Sequence, residues 1–464
     1  MIGSQSLSSL AQNLTHSSAG LDIEFSSIST DTRSLRKGDC YIALIGDRFN
    51  GNDYLQVAAA SGAVAVICSK AVEIPIPTLV VEDTQLSLSA IAQENRTRSA
   101  ATVIALTGSQ GKTSVKEMLG LILNQNGKTL ITRANLNNTI GVPLTLIQLT
   151  GKEKFAVVEM GANAQGEIAR SVEVARPNIA LITNANSAHL DGFGSYEAIV
   201  DAKGEIIDGL DCNGVLVLNA NQKSCHRWVE RAGSKTVRLF SYGKRNKNAD
   251  YQCSLAKITQ TGDISFDLFC PQGELSITWP LLGEHNVENA LAATACALEG
   301  GANLEQVEEG LTKMRPIPGR LYLFKGINAC TVIDDTYNAS PDSFYVAINV
   351  LAAQGSRSST RTVLVVGDML ELGSAAETFH AKIGYEAKLA GITDLWAIGT
   401  FADSAVKSFG AGGICYERMD DLYADCVTAS QADVIFLAKG SRGSRMERVV
   451  DVLMMTDNHG NKLY

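Results

Sequence analysis

Residues 108–114 read Gly-Ser-Gln-Gly-Lys-Thr-Ser, and these residue types bind nucleotide phosphates when they form a tight loop. In such a loop, backbone N–H groups and a helix N-terminus face the anion. We expect Lys112 to reach the β- and γ-phosphates and the Thr113 hydroxyl to bind Mg²⁺. The usual G-x-x-x-x-G-K-[ST] spacing requires glycine at position 106, where this chain has Leu106. The alternative is a glycine turn with an exposed lysine.

A carboxylate follows a second apolar run. The segment "KFAVVEMGA" predicts a strand over 155–158 that ends at Glu159, and a carboxylate at the tip of a strand beside a phosphate loop can hold Mg²⁺. A glutamate after a strand is also common without any such role. Further along, His189 lies in a predicted loop and Lys203 in a predicted helix, where a surface histidine and a solvated lysine are the ordinary interpretations.

The segment "LLGEHNVENALAATACAL" predicts the start of a helix. Its first turns contain His285, Asn286 and Asn289, whose spacing places them on one helical face. Such side chains usually cap a helix, but they can also bind the edge of a purine. Adenine is therefore a candidate ligand there.

The elements that must position these residues alternate between strands and helices, which indicates an α/β architecture. Short apolar strands precede a polar stretch at 94–100, which we interpret as the first domain boundary. The segment "MRPIPGR" at 314–320 interrupts the helical pattern and is the second boundary. The predicted domains are 1–98, 99–314 and 315–464. In the last of these, β-rich runs separated by helical stretches predict a doubly wound sheet, with functional residues beyond the strand ends.

Composition narrows the class of protein. A chain of 464 residues with 45% hydrophobic and 19% charged residues is typical of a multidomain globular protein. No apolar run approaches the length of a membrane span, and the N-terminus lacks the features of a secretory signal, so we expect a cytoplasmic protein. The net charge of −9 argues against nucleic acid as the main ligand. Ten cysteines without a C-x-x-C pair indicate reduced thiols.

Taken together and in this order, the motifs resemble the Mur ligase family of ATP-dependent amide-forming enzymes. "TGSQGKTS" is similar to that family's phosphate loop, which lacks the early glycine. Four further segments, "NLNNTIGVPLTL", "EMGANAQGEIA", "VVGDMLELG" and "KGSRGSRMERV", are similar to the family member that adds D-alanyl-D-alanine to UDP-N-acetylmuramoyl-tripeptide. Near the N-terminus, "STDTRSLRKGDCYIAL" and "DRFNGNDY" resemble its UDP-binding segments.

The resemblance implies three domains: an N-terminal UDP-binding α/β domain, a central P-loop ATPase-type domain and a Rossmann-like C-terminal domain. ATP would be the cofactor, with two Mg²⁺ ions held by Thr113, Glu159, His189 and a Lys203 carbamylated by CO₂. Lys112, Lys203, Glu159 and His189 would be the catalytic set. The resemblance implies that ATP contacts these residues: Gly108, Ser109, Gln110, Gly111, Lys112, Thr113, Ser114, His285, Asn286, Asn289, Arg320 and Asp335.

The implied substrates are UDP-N-acetylmuramoyl-tripeptide and D-alanyl-D-alanine, and the protein would act as a monomer. The expected substrate-binding residues are Ser29, Thr30, Asp31, Thr32, Arg33, Arg48, Asn50, Gly51, Asn135, Asn138, Lys439 and Ser441. Two positions depart from the family pattern: Ser340 stands where relatives usually have Asn, and Asn52 where His is common.

Two other functions would use part of this machinery. A non-catalytic nucleotide-binding regulator would keep the loop, but the joint presence of Lys112, Glu159, His189 and Lys203 argues against one. A folylpolyglutamate synthase-like ligase would share the ATP site but lack the ~100 residues that precede the loop here.

Overall fold

The computed structural model describes residues 1–14, 23–46, 49–186, 190–244, 246–259, 263–358 and 360–454. Two of the predicted site residues, Arg48 and His189, lie outside these ranges. In the rest of the chain, the three predicted segments each contain a sheet of their own.

The N-terminal segment is built around a small parallel sheet of four strands in the order β3-β4-β7-β8. The buried strands β4 and β7 alternate with helices that cover the sheet, as the early apolar runs predict. Its elements are β1 (Gln5–Ser6), α1 (Leu7–Leu14), β2 (Glu24–Phe25), β3 (Ile28–Ser29), β4 (Cys40–Ile42), β5 (Ile45–Gly46), β6 (Phe49–Asn50), α2 (Leu55–Ala60), β7 (Ala65–Cys68), β8 (Thr78–Val80) and α3 (Thr84–Thr97).

Helix α3 continues to Thr97, so the first four residues of the polar stretch 94–100 are helical. The fully buried Asn95 donates hydrogen bonds to carbonyls at the end of a helix in the central segment, and Arg96 donates to the carbonyls of Ala175 and Arg176. These polar side chains fasten the N-terminal segment to the central one. The two segments also share one continuous apolar core.

The central segment carries a large sheet in the order β10-β11-β9-β12-β13-β14-β15-β17-β16, with β18 paired to β17. Its first seven strands are parallel, and β16, β17 and β18 at the far edge form antiparallel pairs. The elements are β9 (Thr102–Thr107), α4 (Lys112–Asn124), β10 (Thr129–Ile131), α5 (Gly141–Leu146), β11 (Phe155–Glu159), α6 (Glu167–Ala175), β12 (Ile179–Ile182), α7 (Leu190–Phe193), α8 (Tyr196–Gly204), β13 (Val215–Asn219), α9 (Cys225–Ala232), β14 (Thr236–Ser241), β15 (Tyr251–Cys253), β16 (Lys257–Ile258), β17 (Ile264–Cys270), β18 (Gly273–Trp279), α10 (Glu284–Glu299) and α11 (Leu304–Thr312).

The C-terminal segment confirms the doubly wound sheet. Five parallel strands lie in the order β20-β24-β21-β22-β23, and β19 adds an antiparallel edge beside β20. The elements are β19 (Tyr322–Lys325), β20 (Thr331–Asp335), α12 (Pro341–Ser358), β21 (Arg361–Val366), α13 (Ala376–Leu389), β22 (Asp394–Ile398), α14 (Ala402–Phe409), β23 (Gly413–Tyr416), α15 (Met419–Ala429), β24 (Val434–Lys439) and α16 (Glu447–Leu453).

Between α11 and β19, residues 313–321 form neither helix nor strand, as the prolines of "MRPIPGR" predict. The predicted α/β fold with three domains is therefore confirmed, while the exact domain bounds stay a prediction. Among the helices that the structure describes, none combines the length and apolar character needed to cross a bilayer.

Candidate active site

A cleft of about 640 Å³ lies between the central and C-terminal segments. Its floor is the carboxyl edge of the central sheet, where loops leave β9 and β11, and its opposite wall comes from the ends of β20 and β24. The structure brings these sequence-predicted residues into its lining: Gly108, Ser109, Gln110, Gly111, Lys112, Thr113, Ser114, Asn135, Asn138, Glu159, Lys203, His285, Asn286, Asn289, Arg320, Asp335, Lys439 and Ser441.

The phosphate loop has the predicted strand–turn–helix geometry. It leaves β9 and enters α4 at Lys112, with Gly108 at φ +154° and Gly111 at φ +80°. A Cβ on Gly108 would lie 1.9 Å from Thr183 Oγ1, and one on Gly111 would lie 2.4 Å from Asn289 Oδ1. Both positions therefore require glycine. Leu106, which replaces the usual early glycine, is buried within β9.

The segment after β12 holds the loop in place, a role that the sequence did not suggest. Asn184 accepts a hydrogen bond from the Gln110 backbone N–H at 2.9 Å and donates one to the Gln110 carbonyl at 3.2 Å. Thr183 Oγ1 donates to the same carbonyl at 2.7 Å. The loop is thus preorganised by two side chains that lie 73 and 74 positions further along the chain.

Glu159 lies beside the loop, as predicted. It is 2% exposed, and Thr113 Oγ1 donates to its Oε2 at 3.3 Å. Its other oxygen accepts from Asn137 Nδ2 at 2.8 Å. The asparagine that contacts this carboxylate is therefore Asn137, which sequence reasoning missed, whereas the predicted Asn138 uses its side chain to accept backbone N–H groups at the start of α5.

Three cationic side chains, Lys112, Lys203 and Arg320, line the cleft near the loop. Burial lowers the pKa of Lys112, the Glu159 carboxylate opposes this effect, and the nearby Arg320 guanidinium adds to it. Burial also lowers the pKa of Lys203 to about 7, with a further contribution from the charge of Lys112. Cations gathered in one cleft favour the binding of an anion between them.

Lys203 is 4% exposed and projects from α8 into the cleft. Within the part of the chain that the structure describes, its ammonium has no hydrogen-bond or ion-pair partner. Glu205, the neighbouring carboxylate that could have paired with it, instead accepts the backbone N–H groups of Gly166 and Ala169 at the start of α6. Lys203 and Glu205 therefore do not form an ion pair.

The three predicted purine-binding residues open α10. Burial lowers the pKa of His285 to about 4, so its imidazole is neutral at neutral pH. Asn286 donates to the Leu282 carbonyl at 2.7 Å, and Asn289 packs against Gly111. Asn289 therefore contacts the phosphate loop as well as lining the predicted adenine site.

The C-terminal segment reaches across the cleft through Arg320, whose Nη2 donates to Thr113 Oγ1 at 2.8 Å. Asp335 and Lys439 end the adjacent strands β20 and β24 and form a buried ion pair at 2.6 Å. Lys439 also donates to the Asn338 carbonyl at 3.0 Å. Asp335, the predicted ribose-binding residue, and Lys439, a predicted substrate-binding residue, therefore hold each other in position through this ion pair. Ser441 accepts from the Leu370 N–H at 2.9 Å and so fixes a loop that lines the same wall.

The other predicted substrate residues that the structure describes lie in the N-terminal segment and do not line this cleft. Asp31 accepts from Arg33 in a bidentate arrangement that lowers the pKa of Asp31, while Ser29 bonds to the Asp31 backbone. Gly51 packs so closely that a Cβ would lie 2.7 Å from a backbone oxygen. These residues, with Thr30, Thr32 and Asn50, form loops at the carboxyl end of β3 and around β6.

Asn52, one of the departures from the family pattern, has a structural role. It donates to Asn50 Oδ1 at 2.8 Å and to Ser69 Oγ at 3.0 Å, and it accepts from the Ser69 N–H at 3.1 Å. This network ties the β5–β6 hairpin to the end of β7.

The donor set fits Mg²⁺. The Thr113 hydroxyl and the Glu159 carboxylate are hard oxygen ligands, which Mg²⁺ prefers together with phosphate oxygens. No cluster of three or more His, Cys, Asp or Glu side chains is found among the described residues. Thr113 and Glu159 therefore supply only part of the coordination shell of a Mg²⁺ ion. Lys203 could become a further ligand only in an anionic form.

Three family models match the chain, and the residues they cover include nearly all of those that line the cleft. They are the Mur ligase family catalytic domain at residues 24–124, the Mur ligase middle domain at 106–297 and the Mur ligase glutamate ligase domain at 319–442. The chain therefore belongs to the Mur ligase family.

The chain is similar to a curated ligase and to two solved MurF structures. UDP-N-acetylmuramoyl-tripeptide--D-alanyl-D-alanine ligase of Escherichia coli is 41% identical over 456 residues, covering 97% of this chain and 98% of the relative. The fold is similar to that of MurF from Acinetobacter baumannii, with TM-score 0.88, 33% identity and coverage of 96% and 98% of the two chains. The MurF ligase of Thermotoga maritima in complex with ADP matches with TM-score 0.81, 25% identity and coverage of 92% and 96%.

Proposed function

We propose that this chain joins D-alanyl-D-alanine to UDP-N-acetylmuramoyl-tripeptide in an ATP-dependent step of peptidoglycan precursor synthesis. The observation that carries the proposal is the cleft itself, in which a phosphate loop and Glu159 face Arg320 and Asp335 of a second domain. The relatives' names and the ADP complex of the Thermotoga maritima relative support the same activity.

The chemistry explains why such a cleft is needed. A carboxylate is a poor acylating agent, so ATP would convert the tripeptide carboxylate to an acyl phosphate, which the dipeptide amine then attacks. Phosphoryl transfer depends on positioning and on neutralising charge. Bound Mg²⁺ would supply part of that neutralisation. The backbone N–H groups of the loop, Lys112 and Arg320 would hold the phosphates in line.

Lys203 is proposed to act as a carbamate. The step requires a neutral amine, which attacks CO₂ through its nitrogen lone pair and releases one proton. The pKa of about 7 makes that amine abundant at neutral pH, and the absence of a carboxylate partner among the described residues leaves it free to react. The product is an anion in the cleft that Thr113 and Glu159 also line, and an anion, unlike an ammonium, can serve as a metal ligand.

The remaining assignments are also proposals. His285, Asn286 and Asn289 would lie around adenine, Asp335 would bind ribose, and Lys439 and Ser441 would serve the dipeptide side of the cleft. The N-terminal segment would hold the UDP moiety, and His189 and Arg48 would complete the metal and UDP sites. We place the enzyme in the cytoplasm, where ATP and the UDP-linked substrate are found, and expect a monomer with two Mg²⁺ ions.

The test measures phosphate release from ATP with both proposed substrates present and with each omitted in turn. We expect release only when the UDP-tripeptide and D-alanyl-D-alanine are both present. Turnover that needs neither substrate would contradict the proposal. Turnover with a folate and glutamate in their place would instead support the folylpolyglutamate synthase-like alternative.

A further inference from the structure

An aromatic side chain in the cleft, Tyr337, lies against the arginine that crosses to the phosphate loop. The guanidinium carbon of Arg320 is 4.2 Å from the centroid of the Tyr337 ring. This distance is within the range of a cation–π interaction, in which the negative face of the ring attracts the cation. Tyr337 follows β20 and lines the same cleft.

The backbone around Arg320 is already fixed. Gly319 at φ +79° and Leu321 at φ +51° flank it, and each donates its N–H to a β20 carboxylate, Asp334 at 2.9 Å and Asp335 at 3.2 Å. The Tyr337 N–H donates to the Gly319 carbonyl at 3.1 Å. The turn that presents Arg320 and the residue that stacks on it are therefore joined through their main chains.

The long side chain of Arg320 still has rotational freedom, and ordering it costs conformational entropy. Its one hydrogen bond within the described part of the chain goes to Thr113 Oγ1, and no carboxylate there neutralises it. The ring of Tyr337 is therefore the contact that limits where the guanidinium lies. An aromatic face does so without occupying the N–H groups that a phosphate would need.

We propose that Tyr337 is a positioning residue for phosphoryl transfer, and that its ring holds the Arg320 guanidinium at the phosphate loop. The inference rests on the proposed function, since it concerns the same transfer of phosphate from ATP. Tyr337 acts through Arg320 and not on the substrates themselves.

A double-mutant cycle tests this role, using Tyr337→Leu, Arg320→Ala and the combination. Tyr337→Leu is expected to lower kcat by about three- to thirtyfold, the span of cation–π energies, with an unchanged KM for D-alanyl-D-alanine. Tyr337→Phe keeps the ring and is expected to lose no more than about threefold. In the Arg320→Ala background, Tyr337→Leu is expected to have no further effect.

The same cycle, measured on the Kd of a non-hydrolysable ATP analogue, gives a readout that needs no turnover. Tyr345→Leu is the matched control, because that ring lies 5.3 Å from Lys382 on the outside of the same domain. Circular dichroism and thermal unfolding show whether each variant folds. A full additional loss in the Arg320→Ala background, in either readout, would mean that the ring contacts the nucleotide directly and would overturn the inference. A wild-type enzyme without the proposed activity would overturn the function instead, so the two failures are distinguishable.

Discussion

The side-chain amide of Gln110 donates a hydrogen bond to the hydroxyl of Ser340 at 3.1 Å, and this bond joins the phosphate loop to the start of α12. Ser340 is the residue that departs from the family's asparagine. It also exchanges hydrogen bonds with Ser343, its backbone N–H donating to Ser343 Oγ at 2.8 Å. The serine thus serves both the contact between domains and the cap of a helix.

We expect Ser340→Ala to lower the free energy of unfolding by about 1 kcal/mol, because a helix cap is lost. The KM for ATP should rise a few fold. Ser340→Asn should preserve both properties, since asparagine caps helices well and can accept from Gln110. Thermal unfolding and initial rates check this, with Ser356→Ala on the exposed end of α12 as the control. Equal KM values in all three variants would contradict a role for the contact.

Lys112→Ala should reduce turnover by at least about two orders of magnitude, as expected when a donor to developing charge is removed. The fold should remain, because Lys112 reaches only the Gly108 carbonyl at 2.6 Å and contributes little to the apolar core. Phosphate release and circular dichroism give the measurement. Lys407→Ala, in a surface ion pair with Asp403, should be neutral in both assays. Turnover that survives the loss of Lys112 would contradict the nucleotide-loop assignment.

Lys203→Ala should lose most activity, and short carboxylates such as formate or acetate should restore part of it. They can replace a carbamate, whereas small amines cannot. Enzyme depleted of CO₂ should regain activity when bicarbonate is added, faster as pH rises through about 7, where the amine becomes neutral. An active Lys203→Arg variant would exclude the carbamate, because a guanidinium remains a cation.

The same lysine should weaken the fold when it is not carbamylated. Its pKa falls from 10.5 unfolded to about 7 folded, so the unfolded state binds more protons between these values and stability rises with pH there. In CO₂-free buffer, Lys203→Met should therefore raise Tm most below pH 7, and the gain should vanish toward pH 10.5. Differential scanning calorimetry across that range measures the effect. A constant gain at every pH would point to packing and not to the buried charge.

Asn95→Ala should lower the free energy of unfolding by about 2 to 4 kcal/mol, because buried carbonyls lose their donor. The Asn95 amide donates to Leu146, Ile147 and Leu149 at 2.9, 3.2 and 3.1 Å and accepts from the Ile2 N–H at 2.7 Å. Gln93→Ala, which removes one exposed bond to the Glu173 carbonyl, is the control and should cost far less. Urea unfolding distinguishes them. Similar costs would mean that the segment interface does not depend on Asn95.

The phosphate loop could be predicted from sequence because its geometry is local: glycines, a lysine and a helix start follow one another along the chain. Arg320 and Asp335 could not be placed by spacing, since they reach the loop only through the packing of two domains, and a family resemblance was needed to name them. Spacing also could not show which asparagine of "NLNN" contacts Glu159. The strand and helix contacts decide that Asn137 faces Glu159 and that Asn138 caps α5.

The sequence did not single out Tyr337 or Glu205, because their roles depend on partners distant in sequence. The antiparallel edge strands β16, β17 and β18 also went unpredicted. They follow from tertiary pairing in the sheet, and nothing in their sequence resembles the site motifs.

The apolar core that Asn95 helps to close is shared by the N-terminal and central segments, whereas the C-terminal segment packs around clusters of its own. The N-terminal and central segments are thus packed together as one unit, and residues 313–321 connect this unit to the C-terminal segment. Under the proposed function, the UDP end of the donor substrate and the phosphate loop would belong to this unit, and the acceptor wall to the C-terminal segment. Arg320, within this connection, already contacts Thr113 at the phosphate loop, so the acceptor wall meets the loop at the point where the unit and the C-terminal segment are joined.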